Sequence, residues 1–167
     1  MENKKTNTFK IVLIALFMAL TVVMTMLFRI PIPFGYVNLG DATLLLGGLA
    51  LGGNAGFFIG GLGSALADLL LGYASYAPIT LIVKGLEGFL CGWLFKKMRH
   101  QKPLVATVIP GIWMAIGYFI GDTILFGVGA AIGSFPLNLA QGLVGAGLSV
   151  LLYKMLKPTL DKRFTKQ

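Results

Sequence analysis

The sequence predicts an all-α membrane protein, a bundle of six transmembrane helices with both termini on the cytoplasmic side. Three observations carry that prediction. Of the 167 residues 56% are hydrophobic and only 12% charged, against about 25% charge in an ordinary soluble domain. The apolar residues gather in six runs separated by turn-forming residues. The basic residues cluster in MENKKTNTFK, in KKMRHQK and in the tail from Lys154 to Lys166, each beside an apolar run. Six spans put all of these clusters on one side, leaving Arg29 outside and Lys84 within a span, which is the positive-inside bias. Fusing the second and third runs would carry KKMRHQK to the opposite side and destroy the asymmetry.

The same numbers bound function. The length suits one bundle over 1–167 and no second domain. A net charge of +8 might suggest nucleic acid, but its division among loop clusters argues for a membrane and against a nucleic-acid partner. Cys91 is the sole cysteine, so there is no disulfide framework, and its apolar surroundings suggest a buried inert thiol. The first apolar run follows basic residues as in a signal peptide. It lacks a convincing cleavage site and five more runs follow, so it reads as a retained first helix.

Span 1 is expected over 9–28. IPIPFGYVN follows, in which Pro31 and Pro33 exclude helix and Gly35 permits a turn, so the stretch reads as an ordered extended loop. Span 2, over 39–51, covers only about 20 Å against roughly 30 Å of hydrocarbon. It is expected to begin inside the membrane beneath the proline loop, which then serves as a lid. Gly52-Gly53-Asn54 marks a turn before span 3, 54–71. Gly72, Tyr73, Ser75 and Tyr76 form the next turn, and Pro78 opens span 4, 78–95. Pro103 opens span 5, 103–126, with Pro110 as a candidate kink. GVGAAIGSFP reads as a turn region before span 6, 136–156. Gly48, Gly52, Gly56, Gly60 and Ser64 recur every fourth residue, as do Gly117 and Gly121, and small residues at that period let helices approach closely in lipid. Ala15 and Ala19 form a similar small face on span 1.

Ionisable residues inside spans are costly and normally face a bundle interior or cavity. Here they fall in the outer half or near the midplane. Asp68 lies near the outer end of span 3, Lys84 about 9 Å and Glu87 about 13 Å below Pro78, and Asp122 about 6 Å from the end of span 5. Tyr118 sits a turn deeper than Asp122 on the same face, and Asn138 and Gln141 share one face of span 6. Polarity confined to one half describes a pocket open to the outside and closed below. A proton or ion path would thread the full depth.

Each residue also has a plainer role. Lys84 and Glu87, three apart, can neutralise each other, and Asp68 can pair structurally beside the 72–78 turn. Asp41 is placed to cap span 2. Asn138 and Gln141 are better ligand candidates, since paired amides offer donors and acceptors without charge. Tyr73, Tyr76 and Trp113 are candidates to stack on a flat heterocycle, and the two tyrosines are equally suited to anchor the interface. No catalytic chemistry is apparent: there is no phosphate loop and no metal cluster, the lone His100 lies in a basic loop, and Ser64, Ser75 and Ser134 have no histidine partner.

The run PIPFGYVNLGDATLLLGGLALGG followed by GFFIGGLGSALADLLLGYASYAPITLIVKGLEGFLCGWLF resembles the substrate-binding (S) components of energy-coupling factor (ECF) vitamin transporters. It is most similar to the branch with riboflavin, hydroxymethylpyrimidine and pyridoxine carriers. The resemblance implies a bacterial plasma-membrane protein that binds one vitamin from outside and is itself no enzyme. It also implies a transmembrane coupling (T) protein and two cytoplasmic ATPases as partners; they bind the ATP and make the S component topple, and this chain needs no cofactor. Ala15 and Ala19 match the alanine motif that docks on the coupling protein. The loop holding Pro31, Pro33, Phe34, Gly35 and Tyr36 matches the outer loop that gates the pocket. The regions that supply ligand contacts in the family hold Asn38, Lys84, Glu87, Tyr118, Asp122, Asn138 and Gln141 here. Trp113 joins them as a stacking candidate, with Asp41, Asp68, Tyr73 and Tyr76 in supporting roles. A self-sufficient secondary transporter and a structural membrane protein are the alternatives from other classes.

Charge narrows the ligand. Asp41, Asp68, Glu87 and Asp122 face Lys84 and Arg29 in the outer half, so nothing prepares the cavity for a polyanion such as a folate. A small neutral or weakly cationic ring bearing hydroxyls fits better. Pyridoxine or hydroxymethylpyrimidine is expected, pyridoxine first, with riboflavin or pantothenate as alternatives.

Overall fold

Glycine and proline partition the chain where the apolar runs end. A computed structural model describes residues 2–164, with side chains from 8 to 158. Its elements are α1 (Glu2–Leu27), β1 (Arg29–Ile32), β2 (Gly35–Asn38), α2 (Gly40–Leu51), α3 (Gly53–Leu70), α4 (Ala77–Lys97), α5 (Pro103–Phe126) and α6 (Val128–Phe164). The side chains of Lys4, Lys5, Lys162, Arg163 and Lys166, part of the expected cytoplasmic charge, lie outside the described residues.

Among the described residues, 4 segments are long and apolar enough to cross a membrane: Thr8–Leu27, Ala77–Lys97, Pro103–Phe126 and Val128–Pro158. The architecture is therefore that of a multi-span protein of the plasma-membrane type. The other two helices are different objects. The α3 helix has 18 residues and carries Asn54 and Asp68, while α2 has only 12, about 18 Å of rise. Every α2 residue from Gly40 to Leu49 is buried, because α1, α3, α4 and α6 all pack on it. A helix buried on every side lies in the middle of a bundle, so the shortest helix is the central one.

Gly52, at φ 89°, makes the break between α2 and α3, a conformation that side-chain-bearing residues rarely adopt. Gly127, also at φ 89°, does the same between α5 and α6. Here the expectation needs correcting, because the turn region 127–136 is confined to Gly127. Gly129 and Gly133 keep negative φ, α6 begins at Val128, and Pro136 lies inside it. Proline within a membrane helix is tolerated where neighbouring groups satisfy the freed backbone, so composition overstated the break.

Close approach through small residues holds the bundle together. Gly56 of α3 and Gly88 of α4 face each other so tightly that a methyl group on either would strike the other's carbonyl oxygen. Gly60 abuts the Lys84 carbonyl in the same way. Between α5 and α6, a Cβ on Gly111 would sit 2.8 Å from the Gly142 oxygen, and one on Gly142 2.6 Å from the Gly111 oxygen. Gly117 and Gly121 admit Val83 and Ile79 of α4. Beside these contacts, Leu44, Leu45, Leu49, Ile59, Cys91 and Phe95 form the apolar core, with the Cys91 thiol donating to the Leu45 carbonyl oxygen at 3.4 Å.

Candidate functional site

At the end of the bundle where α1 meets α2, the proline-rich stretch is more regular than an extended loop. The β1 and β2 strands pair antiparallel, with Arg29 opposite Asn38, Pro31 opposite Tyr36 and Ile32 opposite Gly35. Pro33 and Phe34 are left as the two-residue connection. A two-stranded hairpin tolerates Pro31 because an edge position need not supply an N–H to a further strand.

Hydrogen bonds fasten this hairpin to its neighbours, one of them from the Thr25 hydroxyl of α1 to Asn38 Oδ1 at 3.3 Å. The Tyr36 hydroxyl donates to Asp68 Oδ1 of α3. The Tyr76 hydroxyl reaches both the Phe34 carbonyl oxygen and Asp122 Oδ1, the latter at 2.6 Å. The Asn38 backbone N–H donates to Gln141 Oε1 of α6 at 2.7 Å. Aromatic contacts reinforce them: Tyr36 meets Tyr73 edge-on at 5.0 Å, and Phe34 lies 5.5 Å from Phe126. Burial, then the neighbouring Asp68 carboxyl, pushes the Tyr36 hydroxyl well above its ordinary pKa. It therefore remains a proton donor.

Beneath the hairpin lies a cleft. Its wall takes Thr25 from α1, Asn38 and Tyr36 from the hairpin, Ser64 and Asp68 from α3, and Tyr73 and Tyr76 from the turn. Thr80 and Lys84 of α4, Tyr118 and Asp122 of α5, and Asn138 and Gln141 of α6 complete it. It encloses a cavity of only about 30 Å³, room for a few water molecules at most, so the walls are nearly closed on one another.

The floor is ionic. Lys84 Nζ contacts Asp41 Oδ1 and lies 3.1 Å from Glu87 Oε2. Gln141 Nε2 donates to Asp41 Oδ2 at 2.9 Å. A continuous path thus runs from the hairpin backbone through Gln141, Asp41 and Lys84 to Glu87. Lys84, Asp41 and Glu87 are 2%, 0% and 0% exposed, and breaking such a buried pair typically costs about 3–5 kcal/mol. The Lys84 ammonium also sits 5.7 Å from the Tyr118 ring centroid, and the Tyr118 and Thr80 hydroxyls lie 3.0 Å apart. Among the described residues no group of three or more His, Cys, Asp or Glu could hold a metal ion.

Six residues expected at the ligand, Asn38, Lys84, Tyr118, Asp122, Asn138 and Gln141, share the cleft wall. Glu87 instead lies under Lys84, and Trp113 turns aside to donate its indole N–H to the Val83 carbonyl oxygen at 3.3 Å. The capping role expected of Asp41 belongs to Asn38, whose Oδ1 accepts the Gly40 N–H at 2.8 Å. Asp41 is already inside α2 and makes no cap hydrogen bond; its carboxylate is drawn sideways to Lys84. Asp68, Tyr73 and Tyr76 are wall residues as well as supports. Sequence reasoning passed over Thr25, Ser64 and Thr80 as cleft residues, and Ser134, whose hydroxyl donates to Asp122 Oδ2. The available signal was a hydroxyl near one end of an otherwise apolar helix. Ala15 and Ala19 are exposed on α1, away from the cleft.

Comparison with known proteins adds an independent line. A family model described as "ECF-type riboflavin transporter, S component" matches residues 5–158. A Pyrococcus woesei protein described as "Uncharacterized protein in gap 3'region" is 41% identical over 146 residues, covering 83% of this chain and 98% of the relative. The "Thiamine precursor transporter HmpT" of Lactococcus lactis subsp. cremoris (strain MG1363) is 32% identical over 165 residues, covering 97% of this chain and 92% of that protein.

Proposed function

The chain belongs to the S components of ECF-type vitamin transporters, and from that premise we propose that its cleft captures a small, neutral or weakly cationic heterocycle from outside the cell. As a member of that family it is a non-catalytic subunit serving vitamin uptake. The proposed contacts are Asn38, Tyr118, Asp122, Asn138 and Gln141, with Lys84 and Glu87 setting the charge of the floor. The hairpin with Pro31, Pro33, Phe34, Gly35 and Tyr36 is the proposed lid, and both termini are proposed to be cytoplasmic around six spans.

One observation carries the choice of ligand: the cleft's basic side chain is already neutralised. Lys84 is engaged by Asp41 and Glu87, while Asp68 and Asp122 also face the cleft. A polyanion would meet no unpaired ammonium among the described residues of the wall, and a buried unpaired charge is costly. Pyridoxine and hydroxymethylpyrimidine satisfy this chemistry. The relative described as a thiamine precursor transporter supports the pyrimidine, which moves ahead of pyridoxine; riboflavin stands behind both. The enclosed space is too small for a ring, so entry requires the hairpin to lift, breaking the ties at Tyr36, Tyr76 and Asn38.

Import then requires an energy source, and the proposed partners are a coupling protein and two ATPases, as is typical of the family. Ala15 and Ala19, bare on α1, are the proposed docking face. Mass spectrometry of the small molecule that copurifies with the protein in detergent tests the proposal. A monocyclic heterocycle is expected; a folate-like polyanion would overturn it.

A further inference from the structure

We propose that Asp68 is a specificity-determining residue, one carboxylate that holds the lid with one oxygen and reads a hydrogen-bond donor on the ligand with the other. The inference rests on the cleft being the vitamin site. Asp68 stands in the last turns of α3, is 3% exposed and lines the cleft. Its Oδ1 accepts from the Tyr36 hydroxyl of the hairpin. Its Oδ2 is buried and makes no hydrogen bond of ordinary length among the described residues, although the Thr80 hydroxyl of α4 also approaches this carboxyl.

The other aspartates around the cleft are used differently. Asp122 spends both oxygens on Tyr76 and Ser134, and Asp41 spends both on Lys84 and Gln141. Glu87 has unbonded oxygens too, but it lies below the cleft wall with Lys84 3.1 Å from Oε2. Of these carboxylates only Asp68 combines a place on the wall with an unused acceptor. A buried acceptor without a partner is unfavourable, and a ligand that supplies an N–H or O–H removes the defect. The fitting ligand is therefore a heteroaromatic ring with an exocyclic amino group, a protonated ring nitrogen or a hydroxyl directed at α3. An analogue lacking that donor is rejected because it leaves the oxygen unpaired. The same carboxylate joins the ligand to the lid, since Tyr36 and the ligand donor would meet on its two oxygens.

Calorimetry on the solitary protein in detergent tests this with two matched pairs of probes. One is 4-amino-5-hydroxymethyl-2-methylpyrimidine with its 4-deamino counterpart, the other pyridoxine with 3-deoxypyridoxine. For at least one pair, the wild type is expected to prefer the donor-bearing member by about 10–100-fold, the range of a hydrogen bond to a charged group. In Asp68→Leu that ratio should fall to within about threefold, because an aliphatic side chain of similar size offers no acceptor. Tyr36→Phe should weaken both members of the pair alike and preserve the ratio. Equal binding of both members of each pair by the wild type would overturn the assignment, even if Asp68→Leu failed to fold. So would an unchanged ratio in Asp68→Leu. A wild type that binds none of the four probes, but another vitamin tightly, would sink the ring-ligand reading and this inference with it.

Discussion

The two ends of the bundle are built from opposite materials. Away from the hairpin, helices meet through glycine backbones and an apolar core, as where Gly56 faces Gly88 and Leu45 and Phe95 fill the interior. Toward the hairpin, the elements are joined by side-chain hydrogen bonds from Tyr36 to Asp68, from Tyr76 to Asp122 and from Gln141 to Asp41. Backbone contact leaves no freedom, because nothing smaller than glycine exists to relieve a clash. Polar side chains can exchange partners at modest net cost. The first end is suited to keep one shape, and the second to open, admit a ligand and close again.

Substitutions that cross this divide should have graded effects. The largest is expected from Gly88→Leu, which drives a side chain into the Gly56 backbone. Overpacking commonly costs about 1–3 kcal/mol, and a rigid backbone obstacle should push it beyond that range. Loss of folded protein by size exclusion in detergent is the expected outcome, and a normal monodisperse peak would show that the glycine seam yields. Next is Lys84→Ala, which leaves Asp41 and Glu87 buried without their cation. It should destabilise by about 3–5 kcal/mol, read from the denaturation midpoint.

Smaller effects belong to the lid. Tyr36→Phe deletes the bond to Asp68 and should cost about 1.5–3 kcal/mol in lid closure, seen as faster ligand release with assembly unchanged. The pH dependence has a definite sign. The folded-state pKa of Tyr36 is raised by burial and by Asp68, so its contribution is fully present below about pH 10, the unfolded tyrosine value. It is lost only as pH rises toward the folded value, so deprotonation of Tyr36 should not change release rates through neutral pH. The smallest effect on the bundle itself should come from Ala15→Trp with Ala19→Trp, both on an exposed face. Ligand binding should persist while assembly with the coupling protein, measured by copurification, is lost; unimpaired assembly would make this face ordinary lipid-exposed surface.

How much of this was legible in the sequence depends on whether a residue's role was local. The helices followed from apolar runs and punctuating glycines, and the shortness of α2 from counting residues; its central place did not, because it depends on four other helices packing on it. That several polar side chains would gather toward one end of the bundle was visible from their positions along the spans. Partnerships were not, because they join residues far apart in the chain. Lys84 and Glu87, three apart, suggested a pair, but Asp41 entered it from another helix and left the cap to Asn38. Trp113 looked like a stacking platform until packing turned its indole toward Val83. Pro136 looked like a boundary because proline usually is one, and only the negative φ of Gly129 and Gly133 shows the helix running through.

The most direct test of the central claim, an outward cleft prepared for an uncharged or weakly cationic ring, is titration calorimetry of the solitary protein. The panel is hydroxymethylpyrimidine, pyridoxine, riboflavin, pantothenate and folate. Tight binding of hydroxymethylpyrimidine or pyridoxine, with no heat from folate, is the predicted result. Tight binding of folate or pantothenate, with none from the two small rings, would contradict the account, because Lys84 would then have to leave Asp41 and Glu87 to meet a carboxylate.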